Sequence, residues 1–224
     1  MPRHAGRGRV EGESSAPPVG AQLREKRFEA GMSLRELARR LDVSASLVSQ
    51  IETGRSQPSV RTLYAIVSEL GLSLDEIFEL VGSAEMRVAA SPPPEVAPVG
   101  QERRSATLVR RSDQRRVIEL ESGVRWERMT AWEDPHAEFM IAVYGPGGSS
   151  TAEGHAIRHY GREFGLVLSG MLSVTVDCED HLLGPGDSIT FHSSTPHRLH
   201  NDGEIEARAV WVTLGRCRLE RGRT

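Results

Sequence analysis

The stretch Ser33–Gly54, SLRELARRLDVSASLVSQIETG, decides the fold of the first part of the chain. It predicts two short helices joined by a tight turn. Ser33 followed by Glu36 three residues later is a capping box, and Ser44 is placed to cap the second helix. Gly54 is placed to end that helix, because glycine readily adopts the left-handed backbone that closes one.

The second of these helices has small and hydrogen-bonding side chains on its exposed face. Its apolar residues Leu47, Val48 and Ile51 recur at helical spacing and are expected to face a core. The exposed side chains suit base edges in a major groove of DNA, and the surrounding hydroxyl and guanidinium groups suit phosphates. The residues predicted to contact DNA are Ser44, Ala45, Ser46, Ser49 and Gln50 for bases, and Ser33, Arg35 and Arg55 for phosphates.

The surrounding segments argue against a mere pair of amphipathic helices. A helical pattern with Leu23 and Phe28 as core candidates precedes the stretch, and two more follow it at 59–71 and 73–80. Five helices in this order resemble the Cro/C1-type (XRE) helix-turn-helix family. The resemblance implies a DNA-binding domain with a double-stranded operator as partner. The matching residues are Leu37, Ala38, Val43, Val48, Ser49, Ile51, Glu52, Gly54, Pro58 and Leu63.

Composition is that of a soluble globular chain with room for two modest domains: 224 residues, 38% hydrophobic and 26% charged. No apolar run approaches the ~20 residues of a membrane-spanning helix, and the N-terminus lacks the apolar segment of a secretory signal. Two cysteines are too few for a disulfide framework. We therefore expect a cytoplasmic protein without a membrane partner.

The distribution of charge informs more than the net charge of −3 does. Residues 19–71 carry eight basic and six acidic side chains, whereas residues 83–224 carry 17 basic and 20 acidic ones. Because so small a basic excess attracts phosphate only modestly, one copy would bind DNA weakly. We expect a homodimer through residues 106–215 that engages two half-sites.

Composition also divides the chain into segments. Residues 1–18 are rich in Arg, Gly, Ser and Pro and are predicted to form a disordered arm. The helical domain is assigned to 19–82, and the proline-rich segment 83–105 is predicted to be a semi-extended linker. The second domain is assigned to 106–215, followed by a tail at 216–224.

The pattern changes from about Val109 onward to short segments rich in β-branched residues. Turn signals such as GPGG, GPGD and NDGE separate these segments. Regularly spaced short strands with such turns predict an antiparallel sandwich or barrel, so the fold class is α + β with two domains. The predicted strands are VIEL, VRWERMTAW, FMIAVYG, FGLVLSG, LSVTVD, SITF and ARAVWVTL.

Two stretches of this half, PGGSSTAEGHAIRHYGREFGLVLSG and LLGPGDSITFHSSTPHRLHNDG, resemble the paired motifs of the cupin family. In the first motif, His159, Glu163 and Gly170 match the second His, the Glu and the Gly of the family. Ile157 stands where the family has its first His. The resemblance implies a jelly-roll barrel over about 117–214.

The second motif matches the family in its turn, its histidine and its asparagine. The proline and glycine that usually precede the histidine are replaced here by His192 and Ser194. The matching residues are Gly186, Asp187, Pro196, His197 and Asn201.

Three side chains in these motifs have the chemistry of an open metal site. His159, Glu163 and His197 are the two-histidine, one-carboxylate set used for Fe(II), which also suits Zn, Mn or Ni. On a strand, His155 and Ile157 would share the face of His159, so His155 is a candidate fourth ligand. The alternative is a metal-free polar pocket in which Glu163 is satisfied by the two histidines.

The two halves together resemble the XRE–cupin regulators. The resemblance implies a sequence-specific DNA-binding transcriptional regulator whose barrel senses a small-molecule effector and dimerises. One alternative is a non-haem iron oxidase. The epoxidases of phosphonate biosynthesis have the same domain order, and His159, Glu163 and His197 match their iron triad in residue type and order. Another is a metal-free dimerisation barrel. The regulator ranks first, since the DNA-reading pattern is complete and nothing in the barrel specifies a substrate. The operator, effector, metal and sign of regulation stay open.

Overall fold

The structure is a computed structural model, and it describes residues 19–79, 108–132, 134 and 136–215. The predicted arm, linker and tail lie outside these ranges and stay predictions. Within the described ranges, no helix has the length and apolar character needed to cross a bilayer.

Five helical segments form the first part of the chain, in the predicted order. They are α1 (Val19–Glu29), α2 (Leu34–Leu41), α3 (Ala45–Glu52), α4 (Val60–Leu70) and α5 (74–79). Ser59 caps α4 through the backbone N–H of Thr62, and Gly71 ends this helix in the left-handed conformation. Ser73 and Glu76 cap α5 reciprocally, because each side chain accepts the other's backbone N–H.

The helices enclose an apolar core at the predicted positions, with one correction. Leu23, Leu37 and Val48 are each 1% exposed. Phe28 was predicted in the core, but its side chain is 60% exposed, and the guanidinium group of Arg27 lies 4.4 Å from its ring centre. Phe28 is five residues after Leu23, which places it about 140° away around the helix. Its exposure follows from that angle.

The second part consists of two antiparallel sheets, which confirms the predicted β architecture. One sheet has the strand order β1-β2-β3-β9-β4-β7 and the other β6-β5-β8. Strand pairing among the described residues does not close into a continuous barrel, and the sheets enclose a shared core in the manner of a jelly roll. The strands are β1 (Val117–Leu120), β2 (Val124–Arg128), β3 (Ala137–Tyr144), β4 (Arg162–Ser169), β5 (Leu172–Val176), β6 (Glu179–Leu183), β7 (Ser188–His192), β8 (His197–His200) and β9 (Ala207–Leu214).

Two strands were not predicted, β6 and β8. Their sequences, EDHLL and HRLH, are polar and lack β-branched residues, so propensity does not reveal them. Both are recruited by β5, which lies between them and pairs with each in register. The tertiary partner, and not the local sequence, makes them strands.

Candidate DNA-binding surface and metal pocket

The ends of α2 and α3 are fixed by the residues that the sequence predicted. Ser33 Oγ accepts the backbone N–H of Glu36 at 3.1 Å, and Ser44 Oγ accepts that of Leu47 at 3.1 Å. Between the helices, Asp42 adopts a left-handed backbone with φ of 54°, a conformation that aspartate tolerates better than most residues. These features make the tight connection between the two helices.

Helix α3 buries one face and exposes the other, as predicted. Val48 and Ile51 are each 1% exposed and lie in the core. The residues predicted to contact bases divide into the exposed Ser44, Ser46 and Gln50 and the half-buried Ala45 and Ser49. Their contact with DNA stays a prediction.

The arginines near this surface differ in whether their charge is already paired. Arg35 and Arg55 are exposed, and neither forms an ion pair with another residue in the described ranges. Arg39 and Arg40 both contact Glu36 at 2.8 Å, and these hydrogen bonds hold the pKa of Glu36 at about 2. The charges of Arg35 and Arg55 are therefore the more available ones.

A buried ion pair that was not predicted joins α1 to α3. Nε and Nη2 of Arg27 donate to the carboxylate of Glu52 at 2.6 and 2.8 Å, and Nη1 donates to the carbonyl of Met32 at 2.8 Å. Both charged side chains are 4% exposed. The available signal was position: Arg27 lies four residues after Leu23 and Glu52 four after Val48, so both lie on buried helix faces.

The three predicted pocket residues converge inside the second domain. Glu163 is on β4, His197 begins β8, and His159 precedes β4. Nε2 of His159 lies 3.0 Å and Nε2 of His197 lies 3.2 Å from Oε1 of Glu163. No other group of three His, Cys, Asp or Glu side chains converges in this way in the part of the chain that the structure describes.

The imidazoles are oriented so that their Nε2 lone pairs face the carboxylate. Nδ1 of His159 lies 3.0 Å from the carbonyl oxygen of Tyr160, and Nδ1 of His197 lies 2.9 Å from that of Thr195. These contacts assign the proton of each neutral ring to Nδ1. Despite their short separation, Nε2 of His159 and Oε1 of Glu163 are buried without a hydrogen bond.

Such a set of facing acceptor atoms requires a positive charge between them. An extra proton on an imidazole would supply one, and so would a metal ion. Histidines whose Nδ1–H is held by a carbonyl and whose Nε2 is free, together with a carboxylate, are the usual arrangement of metal ligands. The residues therefore fit a divalent cation with three protein ligands and open coordination positions.

The electrostatics of the pocket favour a charged Glu163 and a neutral His197. Burial alone would raise the pKa of Glu163, but the close contact with His159 and the attraction of either imidazole in its protonated form outweigh burial and lower it. Trp211 adds to this effect, because its Nε1–H donates to Oε2 of Glu163 at 2.7 Å. Burial also lowers the pKa of His197, because the effect of burial is larger than the opposing effect of the nearby carboxylate. Both states are those that a metal ligand requires.

The rest of the pocket is mostly apolar and lines a cavity of about 20 Å³. Ile157, at the position of the family's first histidine, is 4% exposed and forms part of the wall. Val60 and Tyr64 reach the same cavity from α4 of the first domain. Further lining residues are Trp126, Met140, Ala142, Tyr144, Leu199 and Trp211.

His155 does not join this group. Its side chain is exposed, and its Nδ1 lies 3.1 Å from the carbonyl oxygen of Glu153. The prediction that His155 shares a strand face with His159 is wrong. Between them only Ile157 makes a β-bridge, with His197, and the chain on either side is irregular.

Known proteins resemble both parts of the chain. Residues 22–77 match the family described as helix-turn-helix, and residues 140–213 match the family described as cupin domain. The HTH-type transcriptional regulator PuuR of Escherichia coli strain K12 is 26% identical over 189 residues, which cover 84% of this chain and 89% of that protein. The HTH-type transcriptional regulator SutR of the same strain is 26% identical over 192 residues, which cover 86% and 92%.

One solved structure has a similar fold over nearly the whole chain. An HTH_3 family transcriptional regulator from Vibrio cholerae gives a TM-score of 0.57 at 21% identity, and the alignment covers 88% of this chain and 94% of that one. At this identity the likeness concerns the fold alone.

Proposed function

We propose that this chain, which joins an XRE-type helix-turn-helix domain to a C-terminal cupin domain, is a transcriptional regulator that binds its operator through α3 and senses a small molecule in the cupin pocket. The observation that carries the proposal is the surface of α3. Ser46 and Gln50 project from a capped helix into solvent. Arg35, in the first turn of α2, and Arg55, just after α3, are exposed and have no ion-pair partner in the described ranges. Hydrogen-bonding groups flanked by available cations suit base and phosphate contacts respectively.

Gln50→Ala is expected to weaken operator binding by about 1–3 kcal/mol and to relax the preference at one base-pair position, because glutamine can donate to and accept from the same base edge. A shift assay on the protein's own promoter, followed by a panel of single-base operator variants, measures both effects. Ser68→Ala, at an exposed position on α4, is the matched control. Unchanged base preference in Gln50→Ala would mean that another face of the domain reads the DNA.

Arg35→Ala provides the contrast between phosphate and base contacts. It should weaken binding to all sequences alike and reduce the dependence of log affinity on log salt concentration by about one unit. Arg39→Ala should change that slope less, because Glu36 already pairs with Arg39.

A second copy is proposed to pack on the outer face of the six-stranded sheet. Phe139, Phe164 and Leu166 on this face are 37%, 37% and 40% exposed, and Val210 and Val212 lie between them in register. We call these five residues the outer apolar stripe. A contiguous apolar patch of this kind is typical of an interaction site. A dimer would also compensate the small basic excess of one helical domain by engaging two half-sites.

Leu166→Glu is expected to convert the dimer into a monomer, because it places a charge in the outer apolar stripe where no cation would face it. Sedimentation velocity at micromolar concentration measures the change, and operator affinity should fall by at least about tenfold as the second half-site is lost. Leu182→Glu, at a position that is 65% exposed on β6, is the control. A wild-type monomer that binds its operator with full affinity would exclude the dimer.

In the pocket we propose one divalent metal held by His159, Glu163 and His197. The ion would act as a Lewis acid with open positions that orient an oxygen- or nitrogen-bearing effector. The same three ligands are those of Fe(II) oxidases, so an enzyme remains the second candidate function. The two candidates differ in whether loss of the metal abolishes the effector's influence on operator binding or abolishes substrate turnover.

A further inference from the structure

We propose that helix α4 of the DNA-binding domain forms one wall of the effector pocket, so that an effector enters only when Tyr64, and the domain with it, moves away. The inference rests on the proposed function and adds the route by which the pocket regulates DNA binding. Backbone hydrogen bonds hold the two domains together at this place: the N–H of Glu121 donates to the carbonyl of Pro58 at 3.0 Å, and that of Arg61 donates to Ser150 at 3.4 Å.

Tyr64 is the direct link between α4 and the candidate metal ligands. Its ring centre lies 4.7 Å from that of His159 with an angle of 33° between the planes, and 5.3 Å from that of Trp126. Val60, one helical turn earlier, lines the same cavity. Thus Tyr64, a residue of the DNA-binding domain, covers the imidazole of His159, one of the candidate metal ligands.

The cavity under Tyr64 is too small for an organic effector. About 20 Å³ accommodates one water molecule or one metal ion, but no organic molecule. Side chains of the cupin domain line the rest of the cavity, and Ile157 and Trp126 among them are only 4% and 3% exposed. The half-buried Tyr64 is the wall that another domain supplies, and its displacement opens space directly over His159.

A charged contact holds α5 against the barrel. Arg128 of β2 is 1% exposed; its Nε lies 2.9 Å from Asp75 and its Nη1 lies 2.6 Å from Glu79. Asp75 also accepts the backbone N–H of Asp134 at 2.9 Å. Because one buried guanidinium serves two carboxylates of the other domain, partial separation would leave buried charges unpaired, so the contact favours one docked position.

Docking therefore links effector binding to operator binding. In the docked state the base-facing residues of α3 are exposed, and the position of α3 relative to the barrel is fixed. In a dimer of barrels, this position sets the spacing of the two α3 helices, which must match two half-sites. An effector that binds only the undocked state shifts the population away from this spacing and lowers operator affinity.

The pocket is tested with 4-fluorophenol, a ring of the size that Tyr64 would vacate, by ¹⁹F NMR. Tyr64→Ala should bind the probe at least about tenfold more tightly than wild type, since the space over His159 is then available. Tyr64→Phe keeps the ring over His159 and should bind the probe less tightly than Tyr64→Ala, and the exposed control Ser68→Ala should behave as wild type. Equal probe affinity in wild type and Tyr64→Ala would overturn the proposal.

The docking contact is tested with Arg128→Met, matched to Arg125→Met on the outward face of the same strand. Arg128→Met should undock the domain, bind 4-fluorophenol more tightly than wild type although Tyr64 is intact, and lose operator affinity by at least about tenfold. Arg125→Met should change neither quantity. Probe binding by Arg128→Met at the wild-type level, in a variant with wild-type circular dichroism, would contradict the proposal; if the variant does not fold, the Tyr64 series decides.

The measurements distinguish a failure of the proposed function from a failure of the docking proposal. If wild type does not bind its promoter, the proposed function is wrong, whatever the probe does. If the promoter is bound and Tyr64→Ala gains no affinity for 4-fluorophenol, the regulator stands and α4 is not the wall of its pocket.

Discussion

Glu163→Gln is expected to abolish stoichiometric binding of a divalent metal while leaving the second domain folded. Glutamine has nearly the same shape and can still accept the indole N–H of Trp211, which now bonds Oε2 at 2.7 Å. Its amide N–H groups can donate to the Nε2 lone pairs of His159 and His197, which removes the need for a cation between them. Since even outer partners of a metal ligand are worth about 10–100-fold in affinity, loss of the carboxylate should cost at least about 100-fold.

The measurement is metal content after dialysis against Zn²⁺, Mn²⁺, Fe²⁺ or Ni²⁺, compared with Glu153→Gln at an exposed position. In a regulator, Glu163→Gln should keep basal operator affinity within a few fold and lose only the response to effector. If the protein is instead an enzyme, Glu163→Gln should stop substrate turnover, whether or not the protein binds an operator. Retention of one metal per chain in Glu163→Gln would show that the carboxylate is not a ligand, and absence of metal from the wild-type protein would show that the acceptor atoms are satisfied by a proton instead.

The helical domain could be predicted nearly completely because its determinants are local. Capping serines, the apolar spacing and the terminal glycine act within one or two turns. The structure has Ser33 and Ser44 in these roles, and Gly54 has φ of 70° just after α3. The pair of Arg27 and Glu52 was missed because its two halves are 25 residues apart. Arg27 and Glu52 are both charged, so residue type alone predicts exposure. Only their positions on buried helix faces indicated burial.

The pocket was predictable in its ligands but not in its walls. His159, Glu163 and His197 were found by motif, whereas Trp211 and Tyr64 belong to no motif. Trp211 lies on the inward face of β9, where Gly165 of β4 leaves it room: a Cβ on Gly165 would lie 2.2 Å from the indole. Tyr64 reaches the pocket only because the two domains dock, a contact that no periodicity of either domain encodes.

Arg27→Ala is expected to destabilise the helical domain by about 3–5 kcal/mol. The substitution leaves the carboxylate of Glu52 buried at 4% exposure without the two guanidinium bonds that compensate its charge. It also leaves the carbonyl of Met32 without its 2.8 Å donor. The loss is large because desolvation of the remaining charge, and not the strength of the pair, sets the cost.

Urea unfolding followed by circular dichroism at 222 nm measures this loss selectively, because all α-helices of the described residues lie within 19–79. Arg24→Ala, an exposed change on the same helix, is the control and should change the unfolding free energy by less than about 0.5 kcal/mol. The double variant Arg27→Met/Glu52→Leu removes both charges and should recover most of the lost stability, since apolar replacement of a buried pair is often neutral or stabilising. If the double variant were as unstable as Arg27→Ala, the pair would contribute through its geometry, by fixing α1 against α3, and not through the burial of an unpaired charge.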